Sequence, residues 1–191
     1  MNMKKSKTST LLSIYEWVET FLLALGCIIL IFTFAVKFVT VSGESMRDTL
    51  QNSDRLLISD LFYKPQAGDV VVVDVSDNLN LEREHGISRS APYIKRVIAT
   101  EGQVVDIDSD SWTVFVDGVA LDEPYVYHCN NKPMYTDLRV SYPFTVSEGC
   151  VFVMGDNRNG SSDSRIIGEI EEKNILGRVI LRLFPHFGGV K

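Results

Sequence analysis

The longest apolar stretch lies near the start of the chain, where residues 21–36 read Phe-Leu-Leu-Ala-Leu-Gly-Cys-Ile-Ile-Leu-Ile-Phe-Thr-Phe-Ala-Val between Trp17 and Lys37. Extended over residues 17–39, the run supplies the ~20 residues that a helix rising ~1.5 Å per residue needs to cross ~30 Å of hydrocarbon. A cleavable leader has a shorter apolar core closed by a small-residue site, so the pattern predicts one retained span. Lys4, Lys5 and Lys7 precede it. That cluster predicts a cytoplasmic N-terminus, with everything after the helix on the far side of a cell membrane crossed once. The expected division is a cytoplasmic tail over residues 1–14, a transmembrane helix over 15–39 and an extracytoplasmic domain over 40–191.

Beyond the helix the period shortens. Residues 55–59, 68–75, 93–99, 103–108, 112–116, 150–154 and 177–184 are β-branched or alternating runs, set off by turn formers such as Pro65 and Gly68, and they predict strands. Asp117-Gly118 is a hairpin dipeptide that accepts positive φ. Residues 76–92 are polar without a clean period and predict a long loop, and residues 122–148, rich in tyrosine and proline, predict an extension of loops. The strand at 150–154 runs directly into Gly155-Asp-Asn-Arg-Asn-Gly-Ser-Ser-Asp-Ser-Arg165, which is too densely polar for a casual connection. There is no internal repeat and no low-complexity tract. The expected fold class is mostly β, on one N-terminal transmembrane helix.

Composition narrows this picture. With 191 residues, 45% of them hydrophobic, the chain has room for one span and one compact domain. The net charge of −6 divides into +2 over residues 1–40 (four lysines, two glutamates) and −8 beyond. An acidic domain is a poor partner for nucleic acid. Three cysteines exclude a disulfide-dense scaffold, and with Cys27 inside the apolar run only Cys129 and Cys150 are available to pair or to remain thiols. His128, Cys129, Cys150 and His186 lack metal-ligand spacing and read as surface or core residues, with no metal expected.

Candidate chemistry starts at Ser42-Gly-Glu-Ser-Met-Arg-Asp-Thr-Leu50, just past the apolar run. Gly43 frees the backbone beside Ser45, so that neighbouring amides can turn toward a reacting carbonyl oxygen. On this stretch alone, a polar turn joining helix to domain is the competing reading. Ser45 follows Lys37 by eight residues, a reach of at most ~28 Å, which predicts a position near the membrane surface. The second candidate is Lys95, inside the strand at 93–99. An ordinary lysine, with a pKa near ~10.4, is no base at neutral pH, and lowering it by ~3 units costs about 4 kcal/mol. Burial beside Ile94 and Val97 supplies part of that cost. A neutral Lys95 amine within reach of Ser45 would accept the hydroxyl proton, which is the Ser-Lys variant of serine catalysis.

Four stretches in order, Ser42-Gly-Glu-Ser-Met with Thr49-Leu50, Gly68-Asp-Val-Val-Val, Tyr93-Ile-Lys-Arg-Val-Ile and the loop over residues 155–165, resemble the motifs of bacterial type I signal peptidases. The single span is similar to the Gram-positive type. This resemblance implies a signal-peptidase-like β-barrel or sheet domain with Ser45 as nucleophile and Lys95 as general base, working without a cofactor. It implies that the substrates are secretory preproteins cut after Ala-x-Ala-type sites, at the bilayer and in proximity to the protein-export machinery. It matches Val41, Met46, Leu50 and Ile94 to residues lining shallow pockets for small side chains. Ser161 matches a serine that hydrogen-bonds the lysine, and Asp163 and Arg165 match a supporting ion pair.

The chain departs from the family pattern at Asp48, where proline is usual, at residues 99–103, at Asn159-Gly160 in place of Asp-Asn, and at Gly43, where some members carry a hydroxyl. Two alternatives stand beside general signal peptide removal: a dedicated peptidase for a few clients, and a non-catalytic anchored β module.

Overall fold

A computed structural model of the chain describes residues 3–76, 92–128, 132–137 and 140–190. It divides into two compact units, residues 1–37 and 38–191. The first is helix α1 (Met3–Ala35), in which Ser13–Leu30 is long and apolar enough to cross a membrane. Thr20 and Thr33 return their hydroxyls to the carbonyls of Glu16 and Ile29, so neither presents a free donor on the apolar surface. The helix ends earlier than hydropathy predicts. Lys37–Thr40 is strand β1 instead, because hydropathy alone does not distinguish apolar helix from apolar strand, and pairing with a neighbouring strand takes the segment.

The second unit is mostly β. Strands β2 (Arg55–Ser59), β3 (Val70–Val73), β4 (Tyr93–Thr100), β9 (Cys150–Met154), β10 (Ile170–Glu171) and β11 (Ile175–Phe184) join β1 in a seven-stranded sheet of order β1-β2-β11-β3-β4-β9-β10. A smaller sheet has the order β7-β6-β5-β8, from β5 (Val104–Asp108), β6 (Thr113–Val116), β7 (Val119–Ala120) and β8 (Phe144–Thr145). Asp117 and Gly118 both take positive φ in the turn between β6 and β7. The short helix α2 (Ser164–Ile167) follows the polar loop. Of the predicted long loop, residues 77–91 lie outside the described residues, as does Cys129. Cys150 is a buried free thiol.

All four valines of β3 are buried, which explains the unbroken apolar run there: the strand is covered on both faces. Val70 and Val72 pack with Val41, Met46, Leu50, Leu56, Ile58 and Ile94, while Val71 and Val73 pack with Val97, Val151 and Val153. On β9 the alternate residues Phe152 and Met154 face a third cluster, which Val105, Val114 and Val116 of the smaller sheet complete. The large sheet is curled. Strands β1 and β4 stand four places apart, ~19 Å in a flat sheet at ~4.8 Å per strand, yet residues at the end of β1 and the start of β4 line one cleft.

Candidate active site

Ser45 sits in a turn that the core holds from below. Met46 and Leu50 are buried, Leu50 N–H donates to the Met46 carbonyl, and Val41 N–H and Ser53 N–H close the ends of the turn on Asp54 and Val41. Gly43 has a φ of +99°, a conformation that side chains disfavour, and its N–H donates to Asn52 Oδ1 at 3.3 Å. Ser45 is thereby left half-buried at the edge of the core.

Lys95 reaches the same point from the middle of the sheet. Its strand is paired with β3 through Lys95↔Val71 and with β9 from Arg96↔Met154 onward, so the side chain starts inside the fold and is 3% exposed. Lys95 Nζ donates to Ser45 Oγ at 2.9 Å and to the Ile94 carbonyl at 3.0 Å. Burial disfavours the ammonium and lowers its pKa from 10.5 to about 8, against the opposing field of Asp163.

The next residue along β4, Arg96, is equally buried but paired. It grips Asp156 through Nε at 2.9 Å and Nη2 at 2.7 Å, donates to the Gly68 carbonyl, and lies 3.8 Å from the Tyr125 ring centroid.

The polar loop over residues 155–165 turns its charges inward. Besides Asp156, Arg158 pairs with Glu123 at 2.6 Å, and Arg165 pairs with Asp163 through Nε at 2.8 Å and Nη2 at 2.6 Å. Asp163 Oδ2 also accepts the Gly155 N–H, and Arg165 donates to the carbonyls of Arg158 and Tyr135. The loop is stitched to the Ser45 turn as well. Asn157 N–H donates to the Ser45 carbonyl at 3.0 Å, its side-chain amide to the Glu44 carbonyl at 3.1 Å, and the Thr49 hydroxyl to Asp156. Asn159, one of the departures from the family pattern, anchors the loop on its outer side by bonding Tyr135 N–H and the Pro133 carbonyl.

Gly155 is the tightest point of this junction. A Cβ added there would lie 2.3 Å from Ser161 Oγ and 2.5 Å from the Ser45 carbonyl oxygen. Gly155→Ala is expected to push the Ser45 turn and the loop apart, lowering kcat ~100-fold and stability by ~1–3 kcal/mol. A kcat and a thermal midpoint both within error of the parent would show that the junction relaxes freely.

A cleft of about 290 Å³ opens beside Ser45 and Lys95, and Val41, Met46, Ile94, Gly160 and Ser162 are among the residues that line it. Three of the four residues predicted to line small-residue pockets therefore border it. Leu50 does not; it is fully buried and packs in the same cluster. Ser161 lowers the pKa of the Asp163 carboxyl, but among the described residues its buried hydroxyl has no partner at hydrogen-bonding geometry, and the bond to Lys95 that the resemblance implies is not made. Asp163 and Arg165 form the expected ion pair. The Arg96–Asp156 and Arg158–Glu123 pairs have no local signature, since their partners come from segments 60 and 35 residues apart. Among the described residues no three His, Cys, Asp or Glu side chains gather as metal ligands.

A serine bonded to a buried lysine, in a mostly β domain and lining an open cleft, has the makings of a serine peptidase that needs no histidine. The chain belongs to the signal peptidase family, peptidase S26, which it matches over residues 14–184. It is 34% identical over 175 residues to a probable signal peptidase I-1 from Synechocystis sp., covering 90% of this chain and 83% of that protein. It is 32% identical over 180 residues to signal peptidase I P of Bacillus subtilis subsp. natto, covering 91% and 90%. Signal peptidase IB of Staphylococcus aureus (strain COL) is 32% identical over 186 residues, covering 90% of each chain.

Proposed function

We propose that this protein removes N-terminal signal peptides from secretory preproteins, with Ser45 as nucleophile and Lys95 as general base. The observation that carries the reading is the 2.9 Å contact between Lys95 Nζ and Ser45 Oγ, with the amine buried. In the reactive form Lys95 is neutral. It takes the Ser45 proton as Oγ attacks the carbonyl before the scissile bond, and the ammonium so formed gives that proton to the departing amine. The product is an ester on Ser45. Water, deprotonated by the same amine, then attacks the ester; the ammonium so formed returns the proton to the departing Ser45 Oγ, and the signal peptide leaves with a new carboxyl group.

The Ser45 amide, in the backbone that Gly43 frees, stabilises the oxyanion. The substrate lies extended in the cleft, where Val41, Met46 and Ile94 admit small side chains of the Ala-x-Ala type. Asp163 and Arg165 hold the loop that backs Lys95. Residues 15–35 anchor the chain in the membrane, residues 1–14 are cytoplasmic, and the β domain works on the outer surface, near where exported chains emerge.

A preprotein bearing Ala-x-Ala, incubated with the purified protein in detergent, tests this. Cleavage after the second alanine by the parent, and none by folded Ser45→Ala or Lys95→Arg, is the expected result, because guanidinium does not release its proton. Cleavage by either variant would remove its residue from the mechanism. With the Lys95 pKa at about 8 and the neutral amine as the active form, kcat/KM rises about tenfold per pH unit below 8 and levels above it. A flat profile from pH 6 to 9 would contradict the assignment.

A further inference from the structure

Lys95 must become an ammonium in the course of the reaction while 3% exposed, so the groups that face its nitrogen decide how that charge is held. Its own nitrogen donates to Ser45 Oγ and the Ile94 carbonyl, yet Ser45 Oγ becomes an ester oxygen, a poorer acceptor, once the serine is acylated. Among the described residues, the charged groups that act on it are Asp163 and Arg165 of the loop and α2, which oppose one another, and Asp156, already held by Arg96. On β4 itself, two residues back and therefore on the same face of the strand, stands Tyr93. Lys95 Nζ lies over this ring, 5.1 Å from its centroid, within the range at which an aromatic face attracts a cation. Tyr93 also lines the cleft. Its phenol is pushed up by burial and stays neutral where Lys95 titrates.

We propose that Tyr93 is a positioning residue whose ring face holds the ammonium form of Lys95 after the amine has taken the serine proton. The proposal rests on the reading of Lys95 as general base. It differs from a mere shielding role in the sign of its consequence. If the ring only kept water away, its loss would hydrate the amine and carry the ascending limb of the pH profile up toward that of an ordinary lysine. If the ring face attracts the ammonium, its loss makes the amine harder to protonate and carries the limb down.

The test compares kcat/KM–pH profiles of full-length Tyr93→Phe, of the same protein with 4-fluoro- and 3,4,5-trifluorophenylalanine at position 93, and of Tyr93→Leu. Fluorination drains the negative face of the ring with little change of shape, so folding and packing are held nearly constant. The expected result is a stepwise fall of the limb along the fluorine series, reaching about 0.5–1 pH unit for the trifluoro ring, with Tyr93→Leu shifted in the same direction. A limb that stays fixed across the series, or a Tyr93→Leu limb displaced upward, overturns the role of the ring while leaving Lys95 as the base. A parent enzyme with no limb near pH 8 overturns the base assignment and this proposal with it.

Discussion

A Lys95→Met enzyme is expected to lose nearly all cleavage of preprotein and yet to withstand more urea than its parent at pH 7. The rate falls by ~10⁴-fold, the upper end of what a positioned base contributes, because methionine fills the space of the lysine stem but accepts no proton. Stability moves the other way. Burial lowers the Lys95 pKa from 10.5 to about 8, so at neutral pH the folded chain bears the cost of an ammonium held out of water, or of a proton given up to avoid it. At 1.36 kcal/mol per unit the cost is about 3 kcal/mol, and methionine removes it. Between the folded and unfolded pKa values the unfolded chain binds a proton that the folded chain does not, so parental stability rises with pH across that window. The advantage of Lys95→Met is therefore full below pH 8 and gone by about 10.5. Urea midpoints of both proteins at pH 7 and pH 10.5 check it; equal midpoints at pH 7 would mean the lysine is not desolvated as its burial implies.

The burial behind this cost is the part of the site that the sequence could not disclose. The residues flanking Lys95 are apolar, but what buries it is the position of β4 between β3 and β9, and Val71 opposite Lys95 comes from a segment more than twenty residues away. Ser45 and the loop were legible because each is a dense local pattern whose residue types imply their own chemistry. The destination of the loop charges was not. Arg96 and Glu123 belong to other segments, so the loop reads in isolation as a turn stitched to itself, whereas it ties the Ser45 turn, β4 and the smaller sheet's flank together.

The fold was read best where the apolar pattern is plain, as at β2, whose burial alternates, and at β9, an apolar run buried throughout, and worst where the element is short. Strands β7, β8 and β10 have two residues each, too few to show a period, and β1 continues the hydropathy of the helix it follows. Ser161 is the reverse case: the motif is intact, but the geometry leaves its hydroxyl unbonded against Gly155.

Asp163→Asn is expected to be the most destabilising single change in the loop, at ~3–5 kcal/mol, because it leaves the Arg165 guanidinium buried without a counter-charge. Both side chains are at most 1% exposed, so water cannot replace the lost partner. Asparagine preserves the shape and can still cap α2 through Oδ1, but its amide nitrogen replaces the Oδ2 that accepts from Gly155 N–H and Arg165 Nη2, so those two hydrogen bonds go with the charge. Burial alone would raise the Asp163 carboxyl, but the Arg165 charge and hydrogen bonds, with the Gly155 N–H, outweigh it and hold the pKa below the usual carboxylate range. Stability from a carboxylate held low is present above its unfolded pKa and lost as pH falls through the folded value. The deficit of the variant is therefore full at pH 7 and shrinks only in acid, below about pH 4.

Catalysis reports the same change independently. Asp163 favours the ammonium of Lys95 and Arg165 disfavours it, so removing the carboxylate and leaving the guanidinium makes Lys95 harder to protonate and moves the kcat/KM limb below pH 8. An Asp163→Asn/Arg165→Met double variant, with neither charge left alone in the interior, is expected to recover most of the lost stability. If the double variant were as unstable as Asp163→Asn, the penalty would lie in the loop's backbone contacts rather than in the orphaned cation.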